Sequence, residues 1–406
     1  MFENAGILAI FVKRLSGKEP GNNMNIDKDR RKNMANVAHA FLGLTGQEID
    51  WLEIPWEGEA PSIDQVRLEG PAVSTEHIAY LKESRGVAPG DVKSVEVKDG
   101  VLHIEVVPST NKAVWTLAVG DKKIGQSEFE VKTRTMDDKF AKVVEGRLMY
   151  RLYSPENATT PRPMILFLHG GGNGGYEDGE GARNNEKQLT ADYGPVNFAE
   201  DYPDLYVLAP MCVEERRDFS KVNMNNKFEN SDFSKDPRYG WSRYYLGLVC
   251  DLIRRMIDEG KVDPKRVYVT GMSMGGAGTV RAMSVGSDLF AAAVPVCPSM
   301  TPETFTILKS IRRPIWVTSA YIDHTLYRHK YLVDAVMNMR DNGNDNAHLT
   351  LFSPEDLEKY DVSITPSLMQ AENYGKLFRQ NHWSWVPTYK NEYGIMSWLL
   401  NQTKDD

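Results

Sequence analysis

The chain has 406 residues, of which 41% are hydrophobic and 26% are charged, and its formal net charge is -8 at pH 7. This length predicts more than one domain, and the composition is that of an ordinary globular protein. The acidic balance gives no basic surface for nucleic acid, and no stretch approaches the ~20 apolar residues of a membrane span, so we expect neither kind of partner.

Residues 1–62 are predicted to be an N-terminal extension with one helix. Apolar residues fall at helical spacing there, and a glycine that can end a helix follows them: Met34, Val37, Ala38, Phe41, Leu42 and Gly43. The apolar run at residues 6–12 is short and has no basic segment before it, so it is a poor signal peptide. A cytoplasmic location is therefore favoured, with secretion as the alternative.

In residues 63–133 the hydrophobic pattern has a period of two. Alternating valines precede the turn Lys98-Asp99-Gly100 and alternating aliphatic residues follow it, which is typical of a β-hairpin. Further short alternating runs, with turn residues and no long helix between them, predict a small β-sandwich. Nothing in this region carries catalytic chemistry.

In residues 134–406 predicted strands alternate with predicted helices. The run at 164–168 is apolar throughout, as in a strand that helices bury on both faces. Other predicted strands lie at 148–153, 205–209, 267–270, 291–296, 315–318 and 349–352. Helices are predicted at 244–259 and, as the closing element, at 393–401. This alternation predicts a mostly parallel, doubly wound sheet with reactive groups at the carboxyl ends of its strands.

The segment Gly271-Met-Ser273-Met-Gly275 lies between the strand at 267–270 and helix-forming residues. Gly-x-Ser-x-Gly in this setting is typical of a nucleophile elbow, a tight turn that exposes the serine Oγ. The alternative is an ordinary glycine-rich turn between a strand and a helix. Because both the strand and the helix are predicted, we favour the elbow, with Ser273 as the nucleophile.

A glycine-rich loop, His169-Gly-Gly-Gly-Asn-Gly-Gly175, follows the strand at 164–168. Such a loop lets main-chain N–H groups approach a ligand, and two of them can stabilise an oxyanion. The predicted donors are Gly170 or Gly171 together with Met274, and His169 is expected to be a structural hydrogen-bonding residue. A phosphate-binding loop is the alternative, but the sequence lacks its Gly-Lys-Ser/Thr ending.

A serine nucleophile needs a base, and that base needs an acid that fixes its tautomer. In folds of this type the chain order is serine, acid, histidine. Asp323 follows the strand at 315–318 and is the predicted acid, with a helix N-cap as its alternative role. Of the eight histidines, His382 lies after the last predicted strand and ahead of the final helix, where the base is expected.

Residues 262–276, the loop at His169 and residues 381–391 together resemble the α/β-hydrolase serine esterases often labelled predicted peptidases. Among them, the chain is most similar to bacterial two-domain esterases with an immunoglobulin-like N-terminal domain. The resemblance implies an α/β-hydrolase fold preceded by a small immunoglobulin-like β-sandwich, a triad of Ser273, Asp323 and His382, and hydrolysis of short acyl or aryl esters. Residues 1–62 depart from this pattern.

A polar stretch at 212–239 is longer than a simple connection, and it is either a lid over the site or a solvated excursion. Tyr239, Trp241, Trp383 and Trp385 are predicted to form an aromatic substrate-binding surface. The expected partner is a small-molecule ester, with plant cell-wall esters among the candidates. Self-association through the N-terminal domain stays open.

No metal and no cofactor is expected. The three cysteines, Cys212, Cys250 and Cys297, are too few for a disulfide framework and too widely spaced for a zinc site. Three alternatives to an esterase remain: a serine peptidase with the same triad, an acyltransferase with the same triad, and a non-enzymatic carbohydrate-binding or adhesion protein.

Overall fold

The computed structural model describes residues 34–43, 46–69, 92–110, 115–171, 175–176, 194–214, 241–321, 323, 328–360 and 382–404. The strands are β1 (Asn36–Gly43), β2 (Gly46–Pro55), β3 (Val66–Glu69), β4 (Val92–Lys98), β5 (Val101–Thr110), β6 (Thr116–Val119), β7 (Lys122–Gly125), β8 (Phe129–Thr133), β9 (Ala141–Glu145), β10 (Leu148–Tyr153), β11 (Arg162–Leu168), β12 (Gly175–Tyr176), β13 (Tyr206–Pro210), β14 (Val213–Glu214), β15 (Val262–Met272), β16 (Ala292–Val296), β17 (Ile315–Ala320) and β18 (Ala347–Phe352). The helices are α1 (Pro195–Asp201), α2 (Arg243–Asp258), α3 (Met274–Val285), α4 (Pro302–Ser310), α5 (Arg328–Asp341), α6 (Pro354–Glu358), α7 (Trp385–Tyr389) and α8 (Ile395–Leu400).

The N-terminal part of the described chain is β-rich and consists of two sheets that share one core. The five-stranded sheet has the order β4-β5-β2-β1-β8, and the three-stranded sheet has the order β3-β6-β7. One cluster of buried side chains includes Leu52 and Ile104 from the first sheet and Leu117 from the second. The predicted hairpin is confirmed, because β4 pairs antiparallel with β5 around Asp99 and Gly100, which both have positive φ.

The helix predicted within residues 1–62 is wrong, because Asn36–Gly43 forms strand β1. This strand pairs antiparallel with β2 and parallel with β8. Ala38 and Ala40 are fully buried in the core between the two sheets, and the apolar Val37 lies on the opposite face of the strand. Apolar residues on both faces of a strand thus reproduced the spacing of a helical stripe.

The predicted division of the chain at residue 62 falls inside this β-rich region. Strands β1 and β2 belong to the same sheet as β4, β5 and β8, which lie beyond that division. We therefore propose a single N-terminal unit over residues 34–133, followed by a second unit over residues 134–404. The immunoglobulin-like character of the first unit stays a prediction.

The second unit is built on an eight-stranded sheet with the order β18-β17-β16-β15-β11-β13-β10-β9. The strands from β18 to β13 run parallel, while β10 and β9 pair antiparallel at one edge. One core cluster packs α2, α3, α4 and α5 against the sheet, and a second cluster packs α1, α7 and α8 against it. This is the predicted α/β-hydrolase fold, preceded by a β-rich unit.

The strands predicted in this unit are confirmed, but their bounds differ by up to five residues, since the strand predicted at 267–270 extends over Val262–Met272. The closing helix is shorter than predicted, because Asn391, Tyr393 and Gly394 all have positive φ and α8 begins only at Ile395. No helix among the described residues is both long and apolar enough to serve as a membrane span.

Candidate active site

Ser273 occupies a sharp turn between β15 and α3. Its φ of 57° and ψ of -111° lie outside the regions that a non-glycine residue prefers. The turn is fixed by its neighbours, because the Ser273 N–H donates to the Val296 carbonyl (2.9 Å) and the Ser273 carbonyl accepts from the Ser299 N–H (3.2 Å). The strain and the strand-to-helix setting match the predicted nucleophile elbow.

The glycines around Ser273 are required by close packing. A Cβ added at Gly275 would lie 1.8 Å from the Leu168 carbonyl oxygen, and one at Gly271 would lie 2.5 Å from the same atom. A Cβ at Gly276 would lie 2.3 Å from the Val296 carbonyl oxygen. These contacts place the end of β11 and the first residue of the glycine loop, His169, against the start of α3.

Gly275→Ala is expected to destabilise the protein by about 4 kcal/mol or more, because the added methyl group meets backbone atoms that cannot move freely. Gly247→Ala is the matched control, since Gly247 also lies within a helix but has no atom within 4 Å of its added Cβ. We expect it to stabilise the protein by about 0.5–1 kcal/mol. Urea unfolding of both variants measures the difference, and similar unfolding midpoints would refute the packing argument.

The structure brings the three predicted triad residues together. His382 Nε2 lies 2.9 Å from Ser273 Oγ, and His382 Nδ1 lies 2.8 Å from Asp323 Oδ2. Because an ionised carboxylate only accepts hydrogen bonds, Nδ1 carries the proton and Nε2 accepts the hydrogen bond from the serine hydroxyl. Asp323 is fully buried, while the His382 side chain keeps 14% of its surface exposed.

Two parallel strands place Ser273 and Asp323 at the same carboxyl end of the sheet, because Ser273 follows β15 and Asp323 follows β17. His382 precedes α7 and meets them there. The His382 ring stands perpendicular to the Trp385 ring, with 5.5 Å between their centroids. The imidazole is thus held by a carboxylate on one side and an aromatic ring on another.

Two of the three predicted oxyanion donors lie beside Ser273. A Cβ built on Gly170 would be 3.8 Å from Ser273 Cβ, so this part of the glycine loop borders the nucleophile. Met274 is the first residue of α3, and the N–H groups of a first helical turn have no partner within the helix. Gly171 is exposed and has no atom within 4 Å of an added Cβ.

His169 is a structural hydrogen-bonding residue, as expected. It is fully buried; its Nδ1–H donates to the Gly170 carbonyl (2.8 Å), and its Nε2 accepts from the Cys212 N–H (3.0 Å). Since a peptide group is planar and trans, a fixed Gly170 carbonyl directs the Gly171 N–H to the side opposite the imidazole. His169 therefore fixes the orientation of the peptide group between Gly170 and Gly171, at the start of the glycine loop.

His169 also makes stability depend on pH. Burial lowers the pKa of His169 from 6.5 to about 4. The unfolded chain takes up this proton near pH 6.5, so the stabilisation is complete above that pH and is lost as the pH falls towards 4. The loss should be about 3 kcal/mol.

His169→Asn keeps a donor for the Gly170 carbonyl but cannot titrate, so its unfolding free energy should fall less steeply over this pH range than that of the unmodified protein. Urea unfolding at a series of pH values measures the difference. Equal slopes for the two proteins would contradict this assignment.

The predicted aromatic surface is only partly present. The prediction that Trp241 binds substrate is wrong, because this side chain is fully buried in the core against Gly278. Its Nε1–H donates to the His169 carbonyl (3.0 Å). Trp383 and Trp385 are half-buried beside His382, with 5.9 Å between their ring centroids. Tyr239 lies outside the described residues, as does most of the stretch at 212–239.

One residue at the site was not singled out from the sequence. Cys297 directly follows β16 and has a positive φ of 34°, which is unusual for a residue with a side chain. Its Sγ lies near the Asp323 carboxylate and the His382 imidazole, within 4.8 Å of the ligand atom of each. In the sequence it ends an apolar run and is indistinguishable from an ordinary core cysteine.

Comparisons with known proteins identify the class of fold. The Peptidase S9 (prolyl oligopeptidase) family matches residues 240–358, which include Ser273 and Asp323. The chain is 28% identical over 156 residues to the poly(3-hydroxybutyrate) depolymerase of Ralstonia pickettii, an alignment that covers 36% of this chain and 28% of that protein. The chain thus spans less than a third of that curated relative.

The crystal structure of a thermostable esterase matches with a TM-score of 0.63 and 19% identity, and the match covers 91% of this chain and 100% of the esterase chain. The likeness therefore extends over most of the chain. The fold is that of an α/β-hydrolase, the scaffold of serine esterases and peptidases.

Proposed function

We propose that this α/β-hydrolase is a carboxylic ester hydrolase that works through a serine acyl-enzyme. The observation that carries the proposal is the position of the His382 imidazole, 2.9 Å from the Ser273 hydroxyl and 2.8 Å from the Asp323 carboxylate. A hydroxyl, an imidazole and a buried carboxylate in this order form a proton relay. The strained turn at Ser273 exposes the hydroxyl to a substrate.

In the first half of the reaction, His382 Nε2 takes the Ser273 proton while Oγ attacks the ester carbonyl carbon. Asp323 stabilises the imidazolium that forms. The N–H of Met274 and that of Gly170 or Gly171 stabilise the negative oxygen of the tetrahedral intermediate. His382 then protonates the leaving alcohol, and the acyl group remains on Ser273.

In the second half, a water molecule takes the place of the alcohol. His382 removes a proton from this water, the resulting nucleophile attacks the acyl carbon, and the same proton returns to Ser273 Oγ as the acid leaves. Water supplies the proton that restores Ser273, so Ser273 and His382 end the cycle in their starting protonation states.

The proposed substrates are short acyl or aryl esters. The half-buried Trp383 and Trp385 give the site an apolar border next to His382. The matched relative is named a poly(3-hydroxybutyrate) depolymerase, so a polyester is a further candidate substrate. A serine peptidase is the second candidate, since the matching family is named for an oligopeptidase.

Fluorophosphonate labelling tests the proposal directly, because this reagent reacts with activated serines. We expect the native protein to be labelled on the peptide that contains Ser273, as read by mass spectrometry, and the heat-denatured protein to stay unlabelled. A panel of nitrophenyl acetate, butyrate and longer esters, compared with peptide anilides, then separates the two candidates. Absence of labelling would remove the hydrolase proposal, and faster anilide cleavage would favour a peptidase.

A further inference from the structure

Cys297 has an unusual backbone conformation and lies beside the candidate active site. The residue lies at the carboxyl end of β16, between the strand that leads to Ser273 and the strand that leads to Asp323. Its N–H donates to the Thr318 carbonyl at 2.7 Å, which holds it at a φ of 34°. The side chain is fully buried. The mechanism proposed above does not use this thiol.

The surroundings of Cys297 contain two further metal-binding groups. The thiol sulfur, one Asp323 carboxylate oxygen and one His382 ring nitrogen all lie within 4.8 Å of one another. A tetrahedral ion bound at 2.0–2.3 Å holds its ligand atoms roughly 3.3–3.7 Å apart. The three atoms therefore need shifts of only about 1 Å to surround one ion.

The chemistry of these ligands selects one class of cation. A thiolate and an imidazole favour borderline-soft ions such as Zn²⁺ and Cd²⁺ over Mg²⁺ or Ca²⁺. One thiolate and one carboxylate also neutralise a divalent charge, so the bound complex carries no net charge in a buried site. The exposed part of the His382 ring provides the way in from solvent.

We propose that Cys297, Asp323 and His382 form an inhibitory site for a thiophilic divalent cation. This inference rests on the proposed function, because it concerns the base of the same reaction. His382 Nδ1 is the coordinating nitrogen, since it already faces the carboxylate. The cation is a competitor for the imidazole and takes no part in ester hydrolysis.

Binding redistributes two protons. The Cys297 thiol loses its proton to solvent when sulfur coordinates the ion. The Nδ1 proton of His382 is also displaced, and the neutral ring regains a proton at Nε2. The net change is one proton released for each ion bound.

This change of tautomer explains the inhibition. With a proton on Nε2, the imidazole donates towards Ser273 Oγ and cannot accept the hydroxyl proton, so the nucleophile is not activated. The Asp323 carboxylate is occupied by the ion and no longer stabilises an imidazolium. Activity is thus lost while Ser273 itself remains unmodified.

Cd²⁺ is the probe for binding, because a cadmium–thiolate bond produces an ultraviolet charge-transfer band. We expect one equivalent of Cd²⁺ to generate this band, Zn²⁺ to compete for it, and both ions to inhibit nitrophenyl acetate hydrolysis reversibly, with recovery after addition of EDTA. Mg²⁺ at the same concentration should do neither. Inhibition without the band, or a band without inhibition, would overturn the proposal.

Substitutions of Cys297 test whether its thiol is a ligand of the ion. Cys297→Ser should weaken Zn²⁺ inhibition at least about 10-fold, since even outer-shell partners of a metal site are worth that much, and it should abolish the cadmium band. Cys297→Ala should give the same result, and it tests whether the hydroxyl introduced by Cys297→Ser still coordinates the ion. Inhibition is expressed relative to the metal-free rate of each variant, so a change in basal rate does not affect the comparison.

Cys250→Ala is the control for a buried thiol, because burial raises the pKa of the Cys250 thiol to about 12 and this residue packs elsewhere against Gly286. It should keep both the band and the inhibition. If Cys297→Ser is inhibited as strongly as the unmodified protein, the site is refuted.

Ser273→Ala separates the two proposals. This variant should still bind one Cd²⁺ with the same band, since the serine is not a ligand. If the chain proves not to be a hydrolase, the band still reports the metal site. If the chain hydrolyses esters but shows no band, only the metal site fails.

Discussion

Ser273→Ala and His382→Ala each lower kcat for nitrophenyl acetate by about 10⁵-fold to 10⁶-fold, and the double variant loses no more than either single variant. The reason is that the two residues act as one unit. A serine without its base keeps its proton, and a base without the serine, 2.9 Å away, has no proton to remove. The remaining activity comes from the oxyanion donors and from substrate binding.

Initial rates with the three variants measure this non-additivity, and circular dichroism verifies that each variant is folded. His103→Ala serves as the histidine control, because His103 lies on β5 of the N-terminal sheet, where it pairs with Glu53. Its kcat should stay within about twofold of the unmodified value, as expected for a substitution away from the reacting groups. Losses at Ser273 and His382 that multiply in the double variant would mean that the two residues do not share one proton.

Asp323→Asn lowers kcat by about 10⁴-fold. An asparagine amide donates to His382 Nδ1, whereas the carboxylate accepts from it, so the substitution shifts the imidazole proton to Nε2. The base is then present in the wrong tautomer. The imidazolium intermediate also loses its buried negative partner.

The same variant decides between the two roles predicted for Asp323. A helix N-cap would contribute about 1 kcal/mol of stability and would leave kcat nearly unchanged. Parallel measurement of kcat and of the unfolding free energy therefore distinguishes the roles. A fall in stability with kcat preserved within about tenfold would assign Asp323 to capping and leave His382 without its acid.

Much of the site was predictable because it depends on order along the chain. The glycines at 271 and 275 reveal the turn, since their spacing reflects backbone contacts that no side chain tolerates. Asp323 and His382 then follow from the sequence of strands, because parallel strands bring their carboxyl ends to one edge. The glycine spacing and the order of the strands were therefore sufficient to predict the three triad residues.

Other features depend on three-dimensional packing that a linear pattern does not contain. Trp241 is close in sequence to a polar stretch, yet it fills the space beside Gly278 in the core. Strand β1 carries apolar residues on both faces, so its sequence is compatible with a helix until its pairing with β2 and β8 is known. Cys297 belongs to the site only because it lies close to Asp323 and His382, which are 26 and 85 positions further along the chain.

Strand β1 also links the N-terminal unit to the start of the second unit. The Arg134 N–H donates to the Ala40 carbonyl at 2.8 Å, the Arg134 guanidinium pairs with Asp50 at 2.7 Å, and the Leu42 N–H donates to Thr135 Oγ1 at 3.2 Å. Leu42 moreover packs against the core beneath α1 and α8. The N-terminal unit therefore cannot be removed or transplanted without consequence. Truncation of the chain near residue 133 would break these contacts, so engineered versions of the protein should keep this junction intact.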